Sequence, residues 1–191
     1  MDSRVTSGVP KSILSSVSSS RWITITGTIV PETADKVLEQ VLDLNAKTKS
    51  NEVVAIIDSN GGEFSTGLDI YDLFRLSPAP VWGLVLGQAH SAAFMALQGC
   101  RKRVAARNSR LLIHNPRIEV RSSFEFDTQL SDVTTPIEAL IARVREHRER
   151  SISILLERTQ LGRTELEEVL KRGKTMSAEE ALTLGFIDEI C

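Results

Sequence analysis

The stretch Val81–Ala96, VWGLVLGQAHSAAFMA, limits the possible folds more than any other part of this chain. An apolar run of strand length, Val81–Leu86, passes through the corner Gly87-x-Ala89-x-Ser91 into a helix of small residues that ends near Leu97. Small side chains at such a corner let two backbones pack closely and leave Ser91 at a helix N-terminus. There the unpaired N–H groups and the positive end of the helix dipole favour negative charge. A nucleophile or an oxyanion would be held well at that point. A plain N-cap serine would be too, and the corner by itself does not choose between them.

Around this corner the chain alternates strand and helix. Trp22–Thr26 has strand character, ended by Gly27, and Ala34, Val37, Leu38, Val41 and Leu42 then form one helical stripe behind Pro31. Val53–Ile57 (VVAII) is the kind of short apolar run that parallel sheets bury, and Asp58-Ser-Asn-Gly-Gly62 after it is expected to turn. Leu68, Ile70, Tyr71 and Phe74 mark a second helix, closed by Pro78 and Pro80. Arg110–Ile113 is another short strand. Thr135–Glu138 spells a capping box opening a long helix, and Thr164–Glu167 and Ser177–Glu180 spell two more. Gly185 suits the residue just past the last helix, before a closing strand Phe186–Ile190. This alternation predicts one α/β domain over residues 21–191 with a mostly parallel sheet, preceded by a flexible, serine-rich arm over 1–20.

The charged middle of the long helix, Arg145–Arg150 (REHRER), cannot enter an ordinary core, so that helix is expected to project or to lie against another subunit. A net charge of -2 argues against nucleic acid as the main partner. No apolar run is long enough to span a bilayer, and no signal-like segment opens the chain. Two cysteines, Cys100 and Cys191, make neither a disulfide framework nor a metal cluster; no cofactor or metal is expected, and a reducing cytoplasm fits.

Of the three histidines, His147 sits in the charged stretch and is expected at the solvated surface. His90 adjoins Ser91, but neighbours at a tight corner usually point different ways. His114 follows a strand and precedes Pro116, which keeps the chain extended. Sites of parallel α/β sheets form at the carboxyl ends of strands, so Ser91 and His114 can meet at one edge. Gly61-Gly62 stand at another strand end, either as a simple turn or as a backbone that can face a carbonyl. Together these are a nucleophile, a base and oxyanion donors, the parts of acyl transfer.

These residues resemble the ClpP peptidases of the ClpP/crotonase superfamily. Asp58-Ser-Asn-Gly-Gly62, Thr66-Gly67 and Ile70-Tyr71-Asp72 are similar to the family's S-P-G-G, T-A-G and I-Y-D stretch, with Asn60 in place of proline. Gly87-Gln-Ala-His-Ser91 resembles its G-x-A-x-S segment, and Asn108-Ser109-Arg110 with Ile113-His114-Asn115-Pro116 its N-S-x-x-x-I-H-Q-P. Met176–Ala181 and Gly185–Asp188 resemble its closing helix and strand. The resemblance implies a mostly parallel sheet with repeated β-β-α units and a long helix projecting after the histidine. It further implies Ser91 as nucleophile, His114 as base, and the N–H groups of Gly62 and Ala92 as oxyanion hole. Such subunits stack as two seven-membered rings around a chamber that takes peptides or unfolded chains, and a Clp-type ATPase is a possible partner.

Three departures stand out. Where the family has the third triad residue, an aspartate, this chain has Gly173; Glu119, Glu125, Asp127 and Asp132 are conceivable substitutes. The segment after His114 is longer than the family pattern, and residues 1–20 do not resemble the family's N-terminal segment. Two other readings therefore stay open: a weak or inactive ring subunit, and a crotonase-type enzyme of acyl-coenzyme A, suggested by Gly62-Glu-Phe-Ser-Thr-Gly-Leu-Asp69.

Overall fold

The run Val53–Ile57 has no polar side, and both of its faces are covered. The structure, a computed structural model, describes residues 21–47, 51–115 and 130–191, with side chains from 137 in the last segment. Its elements are β1 (Trp22–Ile29), α1 (Pro31–Lys47), β2 (Val53–Gly62), α2 (Phe64–Leu76), β3 (Val81–His90), α3 (Ala92–Gln98), β4 (Lys102–Ala105) and β5 (Arg110–Leu112). There follow α4 (Leu130–Arg158), α5 (Arg163–Arg172), β6 (Met176–Ser177), α6 (Ala178–Thr183) and β7 (Glu189–Ile190). The sheet runs β1-β2-β3-β4-β7 with every pair parallel; β5 lies beside the end of β3, and β6 pairs antiparallel with β5.

Alternation along β2 decides which core each side chain joins. Val53, Ala55 and Ile57 pack with Val41, Ile70, Phe74 and Phe94 of the helices. Val54 and Ile56 point the other way and cluster with Leu84 and Val104 under Trp22, Leu86 and Cys191. Full burial of a valine or isoleucine contributes about 1.5–3 kcal/mol, so this strand cannot take an exposed place.

Three strands run past the ends expected from local sequence. Gly27 does not stop β1. At φ +73 it forms a bulge, the register slips between Gly27 and Thr28, and pairing resumes to Ile29. Asp58–Gly62 is no turn: β2 continues through it, setting Gly61 and Gly62 opposite Thr28 and Ile29. Likewise β3 continues through the Gly87 corner by exchanging β4 for β5, with Gln88, Ala89 and His90 opposite Arg110, Leu111 and Leu112. The Asp58 carboxylate fills the irregularity between β2 and β3, accepting from the Gln88 N–H at 3.1 Å. A Cβ on Gly87 would lie 2.3 Å from that carboxylate, which is why a glycine stands there.

Helix ends divide similarly. The Ser177 box is formed: Glu180 N–H donates to Ser177 Oγ at 3.2 Å, and Ser177 N–H donates to Glu180 Oε2 at 2.9 Å. Gly185 follows α6 as expected, with Phe186 N–H donating to Ala181 O at 2.9 Å. But α5 is opened by Gly162, whose carbonyl accepts from Leu166 N–H at 3.0 Å, so Thr164 already lies inside the helix. The long helix begins at Leu130, before Thr135. The closing strand is only Glu189–Ile190, and β4 and β6 carry no local signal strong enough to predict them.

Arg103 ties the second half of the molecule together. Buried at 4% exposure, it donates to both Asp188 oxygens (2.6 and 3.1 Å), to Gln98 Oε1 (2.7 Å) and to the Arg158 carbonyl (3.2 Å). Burial tends to raise the Asp188 pKa, yet the Arg103 hydrogen bonds win and hold it below the usual carboxylate value. The end of α3, β4, the end of α4 and the approach to β7 thus meet at one guanidinium, which anchors α4 where it can wall a cleft.

Candidate active site

Ser91 sits between β3 and α3 at φ +52 and ψ −115, and no other described residue apart from glycines has a positive φ. Holding a serine there costs of order 1–3 kcal/mol, and surrounding structure has to impose it. Its own N–H donates to the Leu112 carbonyl at 2.7 Å, tying the corner to β5. From the other side β2 presses in: a Cβ on Gly61 would lie 2.4 Å from the His90 carbonyl and 3.0 Å from Ser91 Cβ. Gly67 does the same for α2, where a Cβ would meet the Ala92 carbonyl at 2.7 Å. Small residues at these positions are therefore what lets three elements converge on one serine.

The hydroxyl caps none of the first-turn amides of α3, so the plain N-cap alternative does not describe it. Ser91 instead lines a cleft of about 800 Å³ together with Gly62, Phe64, Met95 and His114, closed by Leu140, Val144 and His147 of α4. Ala92, fully buried behind Ser91, supplies the first amide of α3, a position with no intrahelical acceptor. Ser91 and His114 share this cleft without a hydrogen bond between their side chains.

His114 follows β5 in an extended segment that Asn115 stitches to α5 through a 3.1 Å hydrogen bond from its N–H to the Leu170 carbonyl. Its Nδ1 lies 2.6 Å from the Asn115 carbonyl. A carbonyl can only accept, so Nδ1 is the donor in this contact, and in the neutral ring that tautomer leaves Nε2 with its lone pair. Gly173 ends α5 at φ +55 beside His114; a Cβ there would stand 3.2 Å from His114 Cβ. The left-handed turn closes α5 through Gly173 N–H to the Val169 carbonyl at 3.2 Å, and a glycine accepts it without strain. Of the substitute carboxylates, Glu119, Glu125 and Asp127 lie outside the described residues, as does the side chain of Asp132.

His90 takes no part in the cleft. Its Nε2 is buried without a partner among the described residues, and burial, then the nearby His114, push its pKa down. The expectation for His147 is overturned. It is half-buried, stacked on Phe64 at 4.6 Å and 26°, and forms part of the cleft wall. Burial, then the positive Arg143, lower its pKa and favour the uncharged ring. The charged stretch around it is partly satisfied within the chain, through Arg148 to Glu167 (3.3 Å) and Arg163 to Glu149 (2.5 Å). Sequence reasoning missed Phe64, Arg143 and His147. Leu140, Val144, His147 and Ser151 do share one helical face by spacing, but nothing local tells what that face meets.

No described helix is long and apolar enough to cross a membrane, and no described group of acidic, histidine or cysteine side chains could hold a metal. Both cysteines are free, Cys100 buried and Cys191 half-buried. A model of the Clp protease family matches residues 7–191. The fold is similar to that of a mutant of ClpP1 from Listeria monocytogenes, with a TM-score of 0.78 and 24% sequence identity, covering 90% of this chain and 91% of that one.

Proposed function

Because this chain belongs to the Clp protease family over nearly its whole length, we propose that it is a serine endopeptidase working by an acyl-enzyme mechanism. One observation carries the reading: Ser91, strained at a strand–helix corner, shares a cleft with an imidazole whose Nδ1 is held by a carbonyl. Ser91 Oγ attacks the peptide carbonyl while His114 Nε2 takes its proton. The Gly62 and Ala92 N–H groups face the oxyanion. His114 then gives the proton to the leaving amine, and water repeats the sequence in reverse on the ester. The Ser91–His114 hydrogen bond closes when substrate fills the cleft, as resting sites commonly leave such bonds long. The family match points to this chemistry rather than to thioester substrates.

The proposed assembly is a homo-oligomeric ring enclosing the clefts, in a reducing cytoplasm, acting on peptides and unfolded segments. Ile137 and Ile141, exposed on α4, offer apolar surface for a neighbouring subunit. The direct test is a fluorophosphonate probe followed by peptide mapping. The label is expected on Ser91; a folded, assembled protein that takes no label, or takes it elsewhere, refutes the mechanism.

Gly173 favours one further reading, a ring subunit that is weak for want of a third triad side chain. The two readings differ over the Asn115 carbonyl. If it already fixes the tautomer, Gly173→Asp should change kcat/KM by less than about tenfold; removing a needed aspartate costs about 10⁴-fold elsewhere. A rise of a hundredfold or more would establish the weak-subunit reading.

A further inference from the structure

We propose that Arg143 selects substrates, so that the cleft takes peptides presenting a carboxylate to the α4 wall beside the bond cleaved at Ser91. This rests on the peptidase reading above and names its substrate class. Arg143 lines the same cleft as Ser91 and His114. Among the described residues it has no ion-pair partner, as Arg145 also has none, whereas Arg148 pairs with Glu149 and Glu167 and Arg150 with Glu146; of these four arginines, Arg143 is the one that lines the cleft. Glu63, the cleft's own carboxylate, is occupied elsewhere. It accepts from Thr66 Oγ1 at 3.3 Å at the start of α2, where the helix dipole favours it.

The surroundings give that cation consequence. Phe64, Met95, Leu140 and Val144 make the adjoining wall apolar, and His147 stacks on Phe64, its charged form disfavoured by burial. A carboxylate pairing with the exposed Arg143 keeps water on its open side and loses it only against that wall, so the pair is worth modestly more than one on a fully open surface. Arg143 itself is exposed, at the open side of the cleft, and a lysine in the same place would meet like charge. An unpaired guanidinium with its fork of donors is also the group best matched to a carboxylate.

The test compares peptides blocked at both ends and differing only in Glu, Leu or Lys before the scissile bond, on the wild type, Arg143→Gln and Arg143→Glu. Free-acid versions form a second arm, which tells a side-chain carboxylate from a chain terminus. The wild type is expected to favour Glu over Lys about tenfold in kcat/KM, Arg143→Gln to level the two and Arg143→Glu to reverse them. A gain confined to the free acids assigns the same recognition to chain ends. An unchanged ranking in all three proteins overturns the proposal and leaves the peptidase standing. If no protein cleaves or takes the fluorophosphonate, the peptidase reading has failed, and binding decides. Fluorescence anisotropy of the Glu and Lys peptides on Ser91→Ala, with and without Arg143→Glu, keeps carboxylate recognition if the Glu preference needs Arg143. Equal binding ends it.

Discussion

Ser91→Ala is expected to lower peptide hydrolysis by about 10⁵–10⁶-fold, and His114→Ala by nearly as much. The two losses should not add, because a hydroxyl without a base and a base without a hydroxyl are equally idle. The double variant should therefore match either single one within about tenfold. Stability separates this reading from a structural role for the serine. The hydroxyl caps no helix amide, so Ser91→Ala removes little that holds the fold. Ser91→Gly should even gain about 1 kcal/mol, since glycine takes φ +52 without the steric cost a serine bears there. Lost activity with unchanged or improved stability is the pattern of a residue kept for chemistry. Initial rates on a blocked fluorogenic peptide and urea midpoints measure both; a Ser91→Ala protein that keeps a tenth of the wild-type rate would falsify the assignment.

The second large effect falls on Gly62. An alanine Cβ there would stand 2.0 Å from the Ile29 carbonyl oxygen and 2.8 Å from its carbon and nitrogen. Those atoms are main chain of the paired strand β1, so they cannot swing aside as a side chain would. Gly62→Ala should cost about 4 kcal/mol or prevent folding, the range reserved for gross overpacking. Two other glycines calibrate the argument. At Gly87 the Cβ meets the Asp58 carboxylate, which can rotate away, so alanine should cost about 1 kcal/mol. At Gly27 nothing lies within 4 Å, but φ is +73, and about 1 kcal/mol of backbone strain is all that remains. Equal midpoints for the three variants would contradict this ranking. Because Gly62 also lines the cleft beside Ser91, any Gly62→Ala protein that folds is expected to be inactive as well.

Much of the frame was legible without coordinates, because it depends on patterns within a few residues. The apolar run at Val53–Ile57, the stripes of α1 and α2, the Ser177 capping box and the small-residue corner at Ser91 are set by side-chain size, polarity and local hydrogen bonding. What depends on partners far along the chain was not legible. Gly27, Gly61 and Gly87 look like punctuation in the sequence, yet each sits inside a strand, because pairing with a distant strand offset the local tendency to turn.

The site divides in the same way. From the sequence alone came the residue types and their order: a serine at a helix start, a histidine after a strand, adjacent glycines at a strand end, and a glycine where an aspartate would be expected. Only the tertiary structure decided that Gly173 ends α5 against His114, that the Asn115 carbonyl accepts a hydrogen bond from the imidazole Nδ1, and that Phe64, Arg143 and His147 wall the cleft. The reason is physical. Local sequence encodes what each segment can form, but which surfaces meet follows from burying all the apolar faces at once.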